Sequence, residues 1–271
     1  MILLADIGGT HVRYTFFENN KIKPIVKKEC DFFKTPLDFL DSIYKEQKFS
    51  SAFLAVAGPV HKGKVSWTNR PNWTLSETGI QKRYHLKKVR LYNDMVAQGH
   101  GLGVKPEKKA LLMNVGTGFG SCFLCKGEVF PCEFGLALTE DNKRKEALLS
   151  GAGIVSLYHQ QGGDKKITSA KKIDESRQQN DKKAQKAYDL FYQLWGKTAA
   201  NIATGLQATD AVFLWGGLVP KSEKDKKAFL KSFYHKNYPT FIQKVPIKIV
   251  KNKFLTIKGL MNLIKDESDE S

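Results

Sequence analysis

Cysteine is scarce in this 271-residue chain, limited to Cys30, Cys122, Cys125 and Cys132. So few thiols at irregular spacing make no disulfide framework, which points to a reducing, cytoplasmic setting. No apolar run approaches the about 20 residues needed to cross a bilayer, so no membrane partner is expected. The first residues lack the basic and apolar parts of a secretory signal. Acidic side chains are outnumbered: 27 Asp and Glu against 44 Lys and Arg leave a formal net charge of +17. Clustered cations can neutralise nucleic-acid phosphates. Here, however, acidic and polar residues interrupt the lysine runs, and no aromatic-rich signature accompanies them. Solvated lysine faces are the better reading, and no nucleic-acid partner is expected, although an anionic small substrate would feel a favourable field.

What remains is a soluble globular composition, 41% hydrophobic and 26% charged, on a chain long enough for two domains. The opening "ILLADI" predicts a strand that runs into a Gly8-Gly9 turn and a second strand, "VRYTFFE". "IKPIVKKE" predicts a third strand, and Thr35-Pro36 begins a helix. "SAFLAVA" predicts a buried strand, "GPVHKGKVSWTNRPNW" an irregular or hairpin stretch, "LSETGIQKRY" a helix, and "KVRLYND" a strand ending at Asp94. The same grammar returns later: "KALLMNV", a "GTGFG" turn, "SCFLCKG" and "EVFPCE". A long helix then fills "DKKAQKAYDLFYQLWGKTAANIATGLQ". "DAVFLW" meets Gly216-Gly217, a lysine-rich helix follows, and "VPIKIV" and "IKGLMNLI" predict a last strand and helix.

Overlaying the halves puts Asp6 on Asn114 and Gly8 on Gly116, the mark of an internal duplication. Glycine turns let backbone N–H groups approach an anion, so a matched pair across a cleft suits a polyphosphate. Cys122 and Cys125 lie three apart on a predicted strand and point to opposite faces, so a structural role is expected rather than zinc.

"ADIGGT" with "VR", "LAVAGPV", "WTNRPNW", "YNDMVAQGHG", "NVGTGFG", "LLSGAGIVSLY" and "FLWGGLVPK" occur in that order, and together they resemble the bacterial glucokinases. That family belongs to the hexokinase branch of the actin-like ATPases. The resemblance implies an α/β fold of two duplicated ribonuclease H-like domains flanking a cleft. It divides the chain into a small domain over 1–97, completed by a helix at 257–266, and a large domain over 98–256, with a frayed tail at 267–271. The implied reaction transfers the ATP γ-phosphoryl group to the 6-hydroxyl of a hexose, most simply glucose. The alternatives are another hexose or amino sugar, or a catalytically weak sugar- or nucleotide-binding regulator.

Residue by residue, the family pattern makes Asp94 the general base. It places Asn69, Asn93, Asp94, Glu133 and Glu146 on the sugar. Ala5, Asp6, Ile7, Gly8, Gly9 and Thr10 fall on one side of the ATP phosphates, and Gly116, Thr117 and Gly118 on the other. Gly216 and Gly217 fall beside adenosine. Asp6 would hold Mg²⁺ through water, because magnesium dehydrates reluctantly. Family habit implies a homodimer. Two departures stand out. The family's Glu-Gly-Gly-His is "EFGL" here, with Leu136 in place of the imidazole, and the segment from Leu136 to Glu146 looks shortened.

Overall fold

A computed structural model of the chain describes residues 1–67 and 70–269. The chain forms two compact units, Met1–Gly103 with Asn252–Ser271, and Val104–Lys251. Among the described residues no helix is long and apolar enough to cross a membrane.

Unit 1 runs β1 (Ile2–Ile7), β2 (His11–Glu18), β3 (Lys21–Ile22), β4 (Val26–Glu29), α1 (Pro36–Glu46) and β5 (Ser51–Val56). It continues with β6 (Val60–His61), β7 (Lys64–Trp67), β8 (Arg70–Ser76), α2 (Glu77–Tyr84), β9 (Lys88–Asn93) and α3 (Asp94–Leu102). Its main sheet has the order β3-β2-β1-β5-β9, with β4 also on β2, and β6-β7-β8 form a separate small sheet. β1 is antiparallel to β2 and parallel to β5, which is parallel to β9. The central strands bury both faces, which explains their unbroken apolar runs.

Local chemistry accounts for most boundaries. Thr35 and Asp38 cap α1 reciprocally: the Asp38 N–H donates to Thr35 Oγ1 at 3.2 Å and the Thr35 N–H to Asp38 Oδ2 at 2.8 Å. The single strand expected over "IKPIVKKE" is split between β3 and β4, because Pro24 has no N–H for the ladder. Leu75 and Ser76 belong to β8 rather than to a helix. Ser76 instead caps α2, accepting the Gly79 N–H at 3.1 Å. β9 ends at Asn93, one residue earlier than expected, because Asn93 caps α3.

Unit 2 comprises β10 (Ala110–Val115), β11 (Phe119–Cys125), β12 (Glu128–Cys132), α4 (Gly151–Gln160), α5 (Ala170–Gln178), α6 (Lys182–Leu206), β13 (Ala211–Trp215), α7 (Glu223–Phe233) and β14 (Ile247–Ile249). Its sheet order, β12-β11-β10-β13-β14, repeats that of unit 1. β10 is again antiparallel to the strand after the glycine turn and parallel to the next, β13. α6 packs Phe191, Tyr192 and Trp195 into a core shared with Phe229 and Phe233 of α7.

The chain then returns to unit 1 as α8 (Leu255–Asp269). The helix runs past residue 266, through part of the stretch expected to fray. Glu267 accepts from Tyr92 Oη at 2.7 Å and from Arg90 Nε at 3.2 Å, and it pairs with Lys88. α8 meets α3 at two glycines. A Cβ on Gly259 would lie 1.6 Å from the Ala97 carbonyl oxygen, and one on Gly101 would lie 2.2 Å from that of Leu255. Gly259→Ala must push the helices apart, since backbone cannot rotate away. The expected cost is about 3 kcal/mol, at the upper end for overpacking. Thermal melting should show a fall on the order of 5–10 °C, and an unchanged melting temperature would contradict the close approach.

Candidate functional site

In unit 1 the candidate residues gather at the carboxyl ends of the parallel strands. Asp6 is buried on β1, and the Arg13 guanidinium on β2, its ladder partner, donates to Asp6 Oδ2 at 3.3 Å. Burial pushes the Asp6 carboxyl above the usual aspartate range, while Arg13 and the nearby Thr256 hydroxyl of α8 pull it back. That hydroxyl is buried and makes no well-formed hydrogen bond. Ala5 and Ile7 are buried in the strand. The Gly8 N–H donates to the His11 carbonyl at 3.1 Å, closing the turn. Among the described residues, the Gly9 and Thr10 N–H groups meet no protein acceptor.

Asn93 and Asp94 occupy the end of β9 and the start of α3. Asn93 Oδ1 accepts the Met95 N–H at 2.9 Å, and Nδ2 donates to the Gly58 carbonyl at 3.0 Å. Asp94 Oδ1 accepts the same Met95 N–H at 2.9 Å, so the two side chains share that donor, while Asn93, still extended, occupies the cap position. Its amide keeps one proton and one lone pair for a ligand. Asn69, expected on the sugar, lies outside the described residues.

In unit 2 the second turn and the Gly216-Gly217 step come together. Gly116 N–H donates to the Gly118 carbonyl at 3.0 Å, and the Leu218 N–H to the Val115 carbonyl at 3.2 Å. Gly216 has φ +106°, and a Cβ there would lie 2.3 Å from the Val115 oxygen and 2.6 Å from Asn114 Oδ1. Only glycine fits such an approach in that conformation. A Cβ on Gly116 would lie 3.7 Å from the Gly217 nitrogen. Sequence reasoning gives no role to the start of α4, yet the Gly151 N–H donates to the Gly116 carbonyl at 2.9 Å and Ser150 Oγ accepts the Gly153 N–H at 3.3 Å. The helix thus begins against the turn, with its positive end toward it. A local signal exists for it: a Ser-Gly-x-Gly opening a helix after an apolar pair.

Glu133 and Glu146 are also neighbours. The Glu146 N–H donates to the Gly135 carbonyl at 2.9 Å, and the Leu136 N–H to the Glu133 carbonyl at 3.0 Å. Gly135 lies flat on β11, where a Cβ would meet the Phe119 oxygen at 2.1 Å. The stretch between is a short hairpin joined by Leu138 and Arg144. Arg144 Nη1 sits 3.6 Å from Glu146 Oε1, and a Cβ on Gly118 would lie 3.6 Å from Glu146 Oε2. Glu146 therefore adjoins the second turn.

Partial desolvation, then the Glu146 carboxylate, hold the Glu133 carboxyl above its ordinary range. The folded state thus binds this proton more tightly than the unfolded chain. Its contribution to stability is present below the ordinary glutamate pKa and is lost as pH rises to the folded value. Glu146→Gln removes the second cause, so the Glu133 midpoint should move down toward an ordinary glutamate. Carboxyl-carbon NMR titration checks this, and an unmoved midpoint would separate the two carboxylates. Among the described residues, no three His, Cys, Asp or Glu side chains are grouped to hold a metal. Cys122 is buried and Cys125 half-buried.

A glucokinase family model matches residues 3–135 and 136–267. Its two segments meet at the Gly135-Leu136 step. The chain is 26% identical to the glucokinase of Pseudomonas paraeruginosa in an alignment of 302 positions, gaps included, that covers 92% of this chain and 88% of the relative. Among solved structures, a glucokinase from an Antarctic psychrotroph superposes with a TM-score of 0.76 at 21% identity, covering 98% of each chain. A Streptomyces griseus ROK-family glucokinase, solved with glucose and AMPPNP, superposes with a TM-score of 0.74 at 17% identity, over 97% of this chain and 98% of that one. These likenesses identify the α/β architecture as the two-domain actin-like ATPase fold. With matches reaching from residue 3 to residue 267, the chain belongs to the glucokinase family.

Proposed function

We propose that this chain is an ATP-dependent hexose kinase acting on the 6-hydroxyl of glucose, with Asp94 as general base. The observation that carries this reading is the Asn93-Asp94 step at the end of a parallel strand, where Asn93 holds the cap position and the Asp94 carboxylate follows it, one oxygen on the Met95 N–H. A sugar hydroxyl is a poor nucleophile. Asp94 accepts its proton as O6 bonds to the γ-phosphorus and the bond to the ADP oxygen breaks, giving a sugar 6-phosphate and ADP.

The Gly9 and Thr10 N–H groups of unit 1, and Thr117 and Gly118 of unit 2, bind phosphate oxygens, and Gly216-Gly217 accommodates adenosine. β9 lies two strand spacings from β1, about 10 Å, so Asp6 and Asp94 are far enough apart for separate tasks. Asp6 suits a cation: its burial disfavours the bare charge, and the Thr256 hydroxyl beside it lacks a well-formed bond. Asp6 would hold Mg²⁺ through water, and the ion when bound would supply charge neutralisation at the phosphates. Asn69, Asn93, Glu133 and Glu146 hydrogen-bond the sugar, where unpaired polar groups reject wrong epimers. The same reading makes the enzyme a cytoplasmic homodimer with no nucleic-acid or membrane partner, which sedimentation and salt-dependent binding assays check.

Leu136 favours a second reading in which the sugar differs, because leucine cannot supply an imidazole's hydrogen bond. A coupled assay with Mg-ATP against glucose, other hexoses and amino sugars tests both. ADP formation dependent on glucose supports the first, and turnover only with another sugar supports the second. ATP binding with no sugar phosphorylated would sink the kinase reading in favour of a regulator.

A further inference from the structure

Each carbonyl of the Ile7–Thr10 turn accepts a hydrogen bond from outside the turn. The Ile7 oxygen takes the Trp67 indole N–H at 3.2 Å and the Ala57 N–H at 3.3 Å. The Gly8 oxygen takes the Cys30 thiol at 3.2 Å, the Gly9 oxygen takes Arg70 Nε–H at 3.0 Å, and the Thr10 oxygen takes the Cys30 N–H at 2.9 Å. In unit 2 the matching Val115 and Gly116 carbonyls take backbone N–H groups of Leu218 and Gly151. Unit 1 thus adds three side-chain donors, from Trp67, Cys30 and Arg70, to the backbone donors that both turns use.

Peptide geometry gives these bonds a directional consequence. A trans peptide is planar, with its carbonyl and the following N–H pointing in opposite directions. Holding the Gly9 carbonyl therefore aims the Thr10 N–H, and holding the Gly8 carbonyl aims the Gly9 N–H. Of the two donors, the thiol is weak and the guanidinium is charged and strong. Arg70 is itself held in place. Its Nη2 donates to Asp31, next to Cys30, and its guanidinium lies 4.8 Å from the centre of the Trp73 ring, which is buried. Only a planar fork can bond the Gly9 carbonyl and Asp31 together while stacked, which lysine cannot reproduce.

We propose that Arg70 is a positioning residue that orients the Gly9-Thr10 peptide for the nucleotide phosphates, acting through the turn and not on the substrate. This rests on the phosphoryl-transfer reading above. Its role is to present the N–H groups already aimed, so that no reorientation accompanies phosphate binding.

The test combines steady-state kinetics in ATP at saturating sugar with calorimetric titration of Mg-ATP, on the full chain and on Arg70→Ala, Arg70→Lys and Asp31→Asn. Arg70→Ala should lose on the order of 10- to 100-fold in kcat/KM for ATP, with weaker Mg-ATP binding. Arg70→Lys should resemble it, and Asp31→Asn should show a smaller loss of the same kind. Added guanidinium should restore part of the Arg70→Ala loss, which a merely structural role would not permit. A folded Arg70→Ala protein with parental ATP kinetics and binding overturns the proposal. If that variant does not fold, Asp31→Asn, at an exposed carboxylate, decides instead, and parental ATP kinetics and binding there overturn the proposal equally. A parent chain that binds Mg-ATP without phosphorylating any sugar would remove the kinase reading, while the calorimetry would still judge Arg70.

Discussion

Asp94→Asn is expected to lower kcat with glucose by roughly two to four orders of magnitude, the span that a positioned general base contributes. Asparagine has nearly the same shape but cannot take the O6 proton. The fold should tolerate the change, because Asn93 Oδ1 accepts the Met95 N–H at 2.9 Å and an amide oxygen can keep the second bond that Asp94 Oδ1 takes from it. Removing one negative charge from the first turn of α3 costs only about 0.3–1 kcal/mol. Coupled-enzyme kinetics with parallel circular dichroism reads both effects. A large loss in kcat with little change in glucose KM assigns the residue to the transition state and not to uniform binding. Retention of more than a tenth of the parental kcat would remove Asp94 from that role.

Arg177→Met is expected to destabilise unit 2 by about 3–5 kcal/mol, the cost of stranding a buried charge. Arg177 on α5 donates Nη1 to Asp225 Oδ1 at 2.7 Å and Nη2 to Asp174 Oδ1 at 2.7 Å. Its guanidinium also stacks 4.0 Å from the Tyr188 ring centre on α6. The Asp225 side chain is 1% exposed and caps α7 through Ser222. Burial opposes the charge on Arg177, yet Asp225 and Asp174 outweigh it and hold its proton more tightly than usual. Methionine fills the volume but leaves Asp225 without its cation, since Lys221 reaches Asp174 instead. Arg177→Lys should recover only part of the loss, because one ammonium cannot reproduce the fork and the stack. Calorimetric unfolding checks both variants, and a loss below about 1 kcal/mol for Arg177→Met would show the network to be neutral.

The elements legible in the sequence are those whose signals are local. β1 and β10 announce themselves as apolar runs ending in glycine turns, α6 through its helical spacing, and α1 through Thr35, Pro36 and Asp38. The duplication is readable for the same reason, since both copies keep the strand-turn-strand order without insertions. Pro24 is a local signal too, and its missing N–H separates β3 from β4 where a single strand is expected. The boundary between β9 and α3 is harder, because Asn93 and Asp94 are both good capping residues. Both accept the Met95 N–H, and Asn93 is distinguished by its extended backbone and its bond to the distant Gly58 carbonyl.

The rest depends on residues far apart in the chain. No periodicity predicts that Thr256 of α8 lies beside Asp6, that Gly151 holds the Gly116 carbonyl, or that Arg70 holds that of Gly9. Glu133 and Glu146 follow from a family pattern, but their mutual repulsion exists only because Gly135 lies flat against Phe119 and folds the hairpin back. Strands, turns and most caps are set by neighbouring residues, so sequence determines them directly. Hydrogen bonds and charge pairing at the turns exist only once distant segments share a sheet end, and those only the tertiary fold can place.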